Sequence, residues 1–352
     1  MGQFVQVRLV KANEMDLTQF QFDYDLTFAM VFLNADGTVY GRYGTRSSRD
    51  EAEKDMSLEG LAETLAAVLE LHKEFPANQP VLSGKQPQPT RYQVPDDFPS
   101  LKGKFPPELD FDGKLVSSCM HCHQIRDAHR QVYRSAAQPI PDRLLFPYPI
   151  PATIGFTMDP KRRAVVSDVA PDSAAAHSGL QAGDEILLLD GQRVVSTADI
   201  QWILHHAQDS DQLPALLQRD GERRELKIEL AKGWRRATDL GWRVSSWPLR
   251  RMGTGGLVLE SVTPDEREQL GVEPGQLALR VGHVGQYGAH AAAKRAGFRK
   301  GDVVVSFDAQ DRFKSESELL AYASQHTRPG QRVAVSVLRG KKRIELKLPM
   351  QE

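Results

Sequence analysis

The sequence predicts a mixed α/β, mostly β chain assembled from several modules. Three observations carry this: a length of 352 residues, an internal repeat in the C-terminal half, and a proline-rich stretch upstream of it. At roughly 100 to 200 residues per domain, the length favours several cores over one. Hydrophobic residues make up 40% and charged residues 26%, and no run approaches the roughly 18 consecutive apolar residues that a membrane helix needs. Disorder and membrane spanning are therefore excluded for the bulk. Lys plus Arg number 45 against 46 Asp plus Glu, so no global field attracts nucleic acid or anionic lipid.

Residues 4–10 alternate apolar and polar side chains, as a strand does. Residues 27–32 form an apolar run, 34–37 a turn, and 38–44 resume extended character, which together read as a hairpin. In residues 51–73, Leu58, Leu61, Leu65, Val68, Leu69 and Leu71 return at helical spacing beneath a charged face. Residues 1–75 thus form a first module. Residues 76–110 carry Pro76, Pro80, Pro87, Pro89, Pro95, Pro99, Pro106 and Pro107 among polar side chains, the composition of a linker. A partly helical segment with both cysteines follows at 111–148, bounded by further prolines.

The rest holds the repeat. Residues 175–191, AAHSGLQAGDEILLLDG, match 292–309, AAKRAGFRKGDVVVSFDA, and each copy continues with a helix opened by polar residues (196–207; 315–324) and a closing strand pair (213–230; 332–348). Two copies of one fold are expected, at 149–232 and 233–350. In the shared turn, Gly179 and Gly183 allow backbone angles closed to other residues, and Asp184 can accept from the turn's amides. Gly297, Gly301 and Asp302 repeat the arrangement.

This pattern resembles PDZ domains of the bacterial type found behind high-temperature-requirement proteases, over 150–232 and, with an interruption, 239–350. The resemblance implies a groove between a helix and an unpaired sheet edge. An extended peptide or a protein C-terminus adds itself to that edge, its carboxylate held by amides of a preceding x-Gly-apolar loop. The matching tripeptides are Ile154-Gly155-Phe156 and Leu240-Gly241-Trp242. Ile200 and Leu204, then Leu319 and Ala323, fall where the helix lines the groove. The plainer reading makes Ile154, Phe156 and Leu204 ordinary core residues beside an empty or filled groove. The second copy has about thirty extra residues between its tripeptide and its Gly-Asp turn, including 250–256 and 263–276. That insertion blocks the groove or builds a separate surface.

Residues 27–44, TFAMVFLNADGTVYGRYG, are similar to the central hairpin of thioredoxin-like domains, and the helix ending near Lys73 fits their last helix. Two departures stand out. Nothing precedes Phe4 that supplies the strand and helix bearing a Cys-x-x-Cys pair, and the place of the family's cis-proline is held by Leu26 or Thr27. The segment reads as a truncated or degenerate scaffold, or as the end of a domain whose upstream part, with any export signal, is missing. The start itself shows no secretory signal.

Cys119-Met120-His121-Cys122-His123 matches the attachment pattern of a c-type haem, and the chain's only 2 cysteines occupy it. Two thiols three positions apart can each bond a porphyrin vinyl carbon, and His123 then meets the iron. Haem c is the expected cofactor, with His123 the metal ligand. Met158, a histidine from a PDZ domain, or no protein group takes the far side of the iron, since Met120 and His121 lie inside the loop and His129 is too near in sequence. The competing readings are a redox disulfide, a zinc site using the two cysteines with His121, His123 or His129, and incidental surface thiols.

No Gly-x-Ser-Gly-Gly loop is present, and Gly253-Thr254-Gly255-Gly256 lacks a nucleophilic serine and any following Gly-Lys-Ser, so it reads as a flexible loop. The basic run 339–343 reads as a solvated hairpin turn, His205-His206 as one buried and one solvated histidine, and His290 has no evident partner. The expected function is a non-catalytic, extracytoplasmic (periplasmic) adaptor. It docks protein termini or extended peptides through its PDZ domains and carries haem for electron transfer, with neither nucleic acid nor a membrane span involved. The alternatives are a PDZ scaffold without cofactor and a thioredoxin-like thiol oxidoreductase whose active part lies upstream.

Overall fold

The computed structural model describes residues 2–48, 52–106, 108–113 and 115–352. It divides into two compact units, one of Met1–Cys122 with Phe146–Thr238 and one of His123–Leu145 with Asp239–Glu352. The chain is mixed α/β with several small sheets.

In the first unit, β1 (Met30–Leu33) and β2 (Val39–Tyr43) pair antiparallel. Asn34 N–H donates to Thr38 O at 2.9 Å to close the expected turn. Helix α1 (Leu58–Glu74) starts at Ser57, whose hydroxyl accepts from Gly60 N–H. Ala67, Val68 and Leu71 pack with Phe32, Tyr40 and Tyr43. That cap explains why the expected helix over 51–73 is broken: a short helix, Ala52–Asp55, stands apart from α1, and Leu58, at the first position, is exposed. Glu51 lies outside the described residues.

Residues 4–10 form no strand. Val5 and Val7 are 94% and 81% exposed, because β1 pairs with β2 alone and that two-stranded sheet does not extend to them. Of the elements expected there, the hairpin β1-β2 and helix α1 are present and the leading strand is not.

The proline-rich stretch is packed. Pro80 sits in the opening turn of a helix (Gln79–Leu82) and Pro95 in that of a 3-10 turn (Pro95–Asp97), where a missing N–H costs nothing. Leu82 and Phe98 are completely buried. Pro107, one of the counted prolines, and Lys114, in the cysteine segment, lie outside the described residues.

Helix α2 (Cys122–Ser135) begins with the last residue of the first unit's N-terminal part. The first unit resumes with β3 (Phe156–Met158), β4 (Val166–Val169), β5 (Glu185–Leu189), β6 (Gln192–Arg193), α3 (Thr197–His206), β7 (Asp211–Arg219) and β8 (Glu222–Leu230). Strands β3 and β4 form one ribbon and β6-β5-β7-β8 a four-stranded sheet, linked by a bridge from Val165 to Glu185. Alternate residues of these strands meet Ile200, Ile203 and Leu204 of α3 in one core.

The second unit repeats the plan in a single sheet. Its elements are α4 (Ser246–Thr254), β9 (Leu257–Ser261), α5 (Pro264–Leu270), β10 (Leu279–Val284), β11 (Val303–Phe307), α6 (Glu316–His326), β12 (Arg332–Arg339) and β13 (Lys342–Pro349), in strand order β13-β12-β11-β10-β9. Within this unit α2 is fastened by buried arginines that donate to backbone carbonyls, Arg130 to Ser245 O at 2.8 Å and Arg134 to Thr327 O at 2.7 Å.

Candidate functional site

The two Gly-Asp turns fold as their sequence requires. Gly179 and Gly183 have φ of 85° and 93°, and Asp184 Oδ2 accepts from Gln181 N–H at 2.9 Å. Asp302 accepts from Arg299 N–H at the same distance. Each aspartate is also gripped by an arginine more than thirty residues downstream, Arg219 on Asp184 and Arg339 on Asp302, through two N–H groups. Those partners escaped the sequence reading, and a shared arginine at the end of each penultimate strand is the signal that could have found them.

In the first copy, Ile154, Phe156, Ile200 and Leu204 come together in one cluster, each 4% exposed or less. They are residues of the first core, with almost no open surface of their own. Gly155 has φ of 96°, and a Cβ there would stand 2.0 Å from the Ser173 Cβ, so only glycine fits. Its N–H donates to Ala152 O at 3.1 Å.

Ala170 N–H donates to Gly155 O, Thr157 pairs with Asp168, and Asp159 N–H donates to Val165 O. Strand alternation then turns the N–H groups of Phe156 and Met158 to the opposite edge, where they make no hydrogen bond among the described residues. Trp234 closes the same core, its indole N–H donating to Gln208 O at 3.0 Å, and Arg235 donates to His205 O at 3.1 Å.

The rest of α3 is covered by the same unit. The Arg42 guanidinium lies 3.5 Å over the Trp202 ring, Tyr148 stacks on His205 at 4.0 Å, and Gln201 donates to Tyr148 O. His205 is accordingly buried and His206 half-buried. Tyr148 and Trp234 were not singled out from the sequence, since an aromatic residue among prolines and one after a strand carry no groove signature.

In the second copy Leu240-Gly241-Trp242 is not the groove loop. It precedes α4, Leu240 is fully buried, and its N–H donates to Ser317 Oγ at 2.9 Å. The residues before the edge strand β9 are Gly255-Gly256-Leu257, so the glycine run expected as a flexible loop takes that place. Leu319 and Ala323 are fully buried in one core with Leu257 and Leu259.

The cysteines are free. Cys119 occupies the bend after a short helix (Leu115–Ser118), and Cys122 is the first residue of α2. Asn13 pins this turn, donating to Ser118 O at 3.0 Å and accepting from Met120 N–H at 2.9 Å. Cys122 is exposed, yet partial shielding by surrounding protein pushes its thiol pKa up, with Cys119 adding to the effect. In the second unit His123 is half-buried, and burial brings His129 down to about 3, helped by Arg126, Arg143 and Arg130. Met158 sits on β3, packed against the first core. Among the described residues, no group of three or more His, Cys, Asp or Glu side chains is placed to hold a metal ion.

Residues 152–230 and 271–350 match the PDZ domain family model. The chain carries tandem PDZ domains. They are of the HtrA/DegP type: a probable periplasmic serine endoprotease DegP-like of Halomonas elongata is 31% identical over 160 residues, covering 43% of this chain and 30% of that protein. One of Pseudomonas putida is 26% identical over 155 residues, 44% of this chain and 31% of that protein. The chain thus spans about a third of the length of these relatives. Among solved structures, the HtrA3 PDZ domain bound to a phage-derived ligand matches at 22% identity and a TM-score of 0.19, covering 22% of this chain and 81% of that one. The HtrA-type protease AlgW with decapeptide matches at 20% and 0.27, covering 41% and 50%.

Proposed function

We propose that this protein is a non-catalytic adaptor that docks an extended peptide segment or protein terminus along β3 in its first PDZ domain. The observation that carries the reading is the pair of outward amides of Phe156 and Met158, an open edge beside the loop at Gly155. The DegP-like relatives, named as periplasmic, support an extracytoplasmic setting. Titration of short peptides with free C-terminal apolar residues, followed by calorimetry and by amide signals of Phe156 and Met158, tests it. Saturable binding that moves both signals is expected, and binding that leaves both unmoved overturns the placement.

The adaptor reading extends to a cofactor. Cys119 and Cys122, unpaired at a pinned turn heading α2, fit thioether attachment of a c-type haem, with His123 as the iron ligand. A haem bound there supplies one-electron exchange. Expression with haem-attachment machinery outside the cytoplasm should give a pyridine haemochrome band that Cys119→Ala abolishes. Colourless protein with both thiols titratable would leave a PDZ scaffold without cofactor.

A further inference from the structure

The second groove is treated differently by its own chain. At the edge of β9, where an added strand would pair, the outward N–H of Leu259 donates to Glu316 Oε1 on the first turn of α6 at 2.8 Å. Glu316 is in turn gripped by Arg250 of α4, Nε to Oε1 at 2.9 Å and Nη2 to Oε2 at 2.5 Å. Both side chains are less than a tenth exposed, so this is a desolvated, bidentate pair.

The loop amides are engaged as well. Gly255 N–H and Gly256 N–H both donate to Arg250 O, the latter at 3.0 Å. Arg250 O, near the end of α4, thus occupies these amides as Ala152 O occupies that of Gly155 in the first copy, so the copies differ at the strand edge and in the helix laid against it. The helix also sits close: a Cβ on Gly253 would lie 3.2 Å from Leu320 Cδ2 and 3.3 Å from the Ala323 Cβ, and Leu249 and Met252 beside it are fully buried.

We infer that α4 is a built-in occupant of the second PDZ groove, held by the Arg250–Glu316 clamp, so that docking of an extended peptide is confined to the first domain while α4 is seated. This rests on the docking reading and assigns it to one of two copies. The copies differ at one informative position: Glu316 follows the helix cap Ser315, whereas Thr197 follows the equivalent cap Ser196. A threonine side chain has neither the charge nor the length to bridge to the strand edge, and the matching amide, that of Met158, stays open.

Residue-resolved amide hydrogen exchange on the full chain, without ligand, tests it. Gly256 and Leu259 should exchange as slowly as Val304 in the middle of the same sheet, and at least about a hundredfold more slowly than Met158. Equal, fast exchange at Leu259 and Met158 overturns the inference. Arg250→Ala should speed Gly256 and Leu259 by about tenfold or more and give a second binding event for a short peptide with a free C-terminal valine. If that variant unfolds, Glu316→Gln, which keeps an acceptor for Leu259 and loses the ion pair, should still speed exchange at Gly256, and an unchanged rate counts against the clamp. Failure of every peptide to bind would sink the docking reading and leave the exchange pattern standing.

Discussion

Lys85 and Asp199 form an ion pair of 2.6 Å with both side chains 1% exposed. Asp199 lies on α3, so the proline-rich stretch is bolted to the helix whose Ile200, Ile203 and Leu204 enter the first core. The carboxylate also accepts from the amides of Val195 and Arg42, which satisfies it beyond the ammonium. Burial pulls the Lys85 pKa down while Asp199 opposes the shift.

Replacing one partner strands the other. Lys85→Met should cost about 3–5 kcal/mol in urea unfolding, the usual consequence of an uncompensated buried charge. Adding Asp199→Asn, which removes the charge and keeps an acceptor for the two amides, should recover part of that loss. A double variant as unstable as the sum of its singles would show that the pair does not act as a unit.

The open edge of β3 has its own test. Proline is tolerated at an edge position whose N–H points away from the sheet, so Met158→Pro should keep the thermal transition within a few degrees. It should weaken peptide docking by about tenfold, the worth of one well-made hydrogen bond. Unchanged affinity with the fold intact would move the docking surface elsewhere.

Much of this architecture is legible in the residues because it follows from local rules. The Gly-Asp turns need positive φ at Gly179, Gly183, Gly297 and Gly301, and all four have it. The turn at Asn34 and Gly37 and the caps at Ser196 and Ser315 are likewise fixed by short-range chemistry. What sequence hides is long-range. A proline count cannot show that Lys85 will find Asp199 more than a hundred residues away, nor alternation in residues 4–10 that no partner strand adjoins. The tripeptide at Leu240 looks like the groove loop, while Gly255-Gly256-Leu257 performs that part, because the choice depends on which segment reaches the edge of β10.

Acid should weaken the second unit through His129. Its imidazole has an ordinary value of 6.5 and is brought to about 3 in the fold by burial and the nearby cations Arg126, Arg143 and Arg130. The unfolded chain therefore takes up a proton that the folded one refuses. Stability is complete above about pH 6.5 and falls as pH drops towards 3, at up to about 1.4 kcal/mol per pH unit. His129→Gln should flatten the urea midpoint over this window, and a slope that survives the substitution would assign it to other groups.

The final prediction uses the repeat as its own control. Asp184 and Asp302 are buried to 1% exposure or less, each accepts from two N–H groups of one arginine, and that arginine also donates to a turn carbonyl, Gly179 O or Gly297 O, at 2.8 Å in both copies. Because the carboxylates are desolvated and the guanidinium groups reach water, removing the acid leaves a cation that can hydrate. Asp184→Ala and Asp302→Ala should therefore each cost about 2–4 kcal/mol, less than stranding Lys85 or Asp199. Each loss should also be local: exchange of Ile186 should rise in the first variant and that of Val304 in the second, with the other copy unmoved. A cost below about 0.5 kcal/mol, typical of exposed pairs, would mean that the turns are held by their glycines alone.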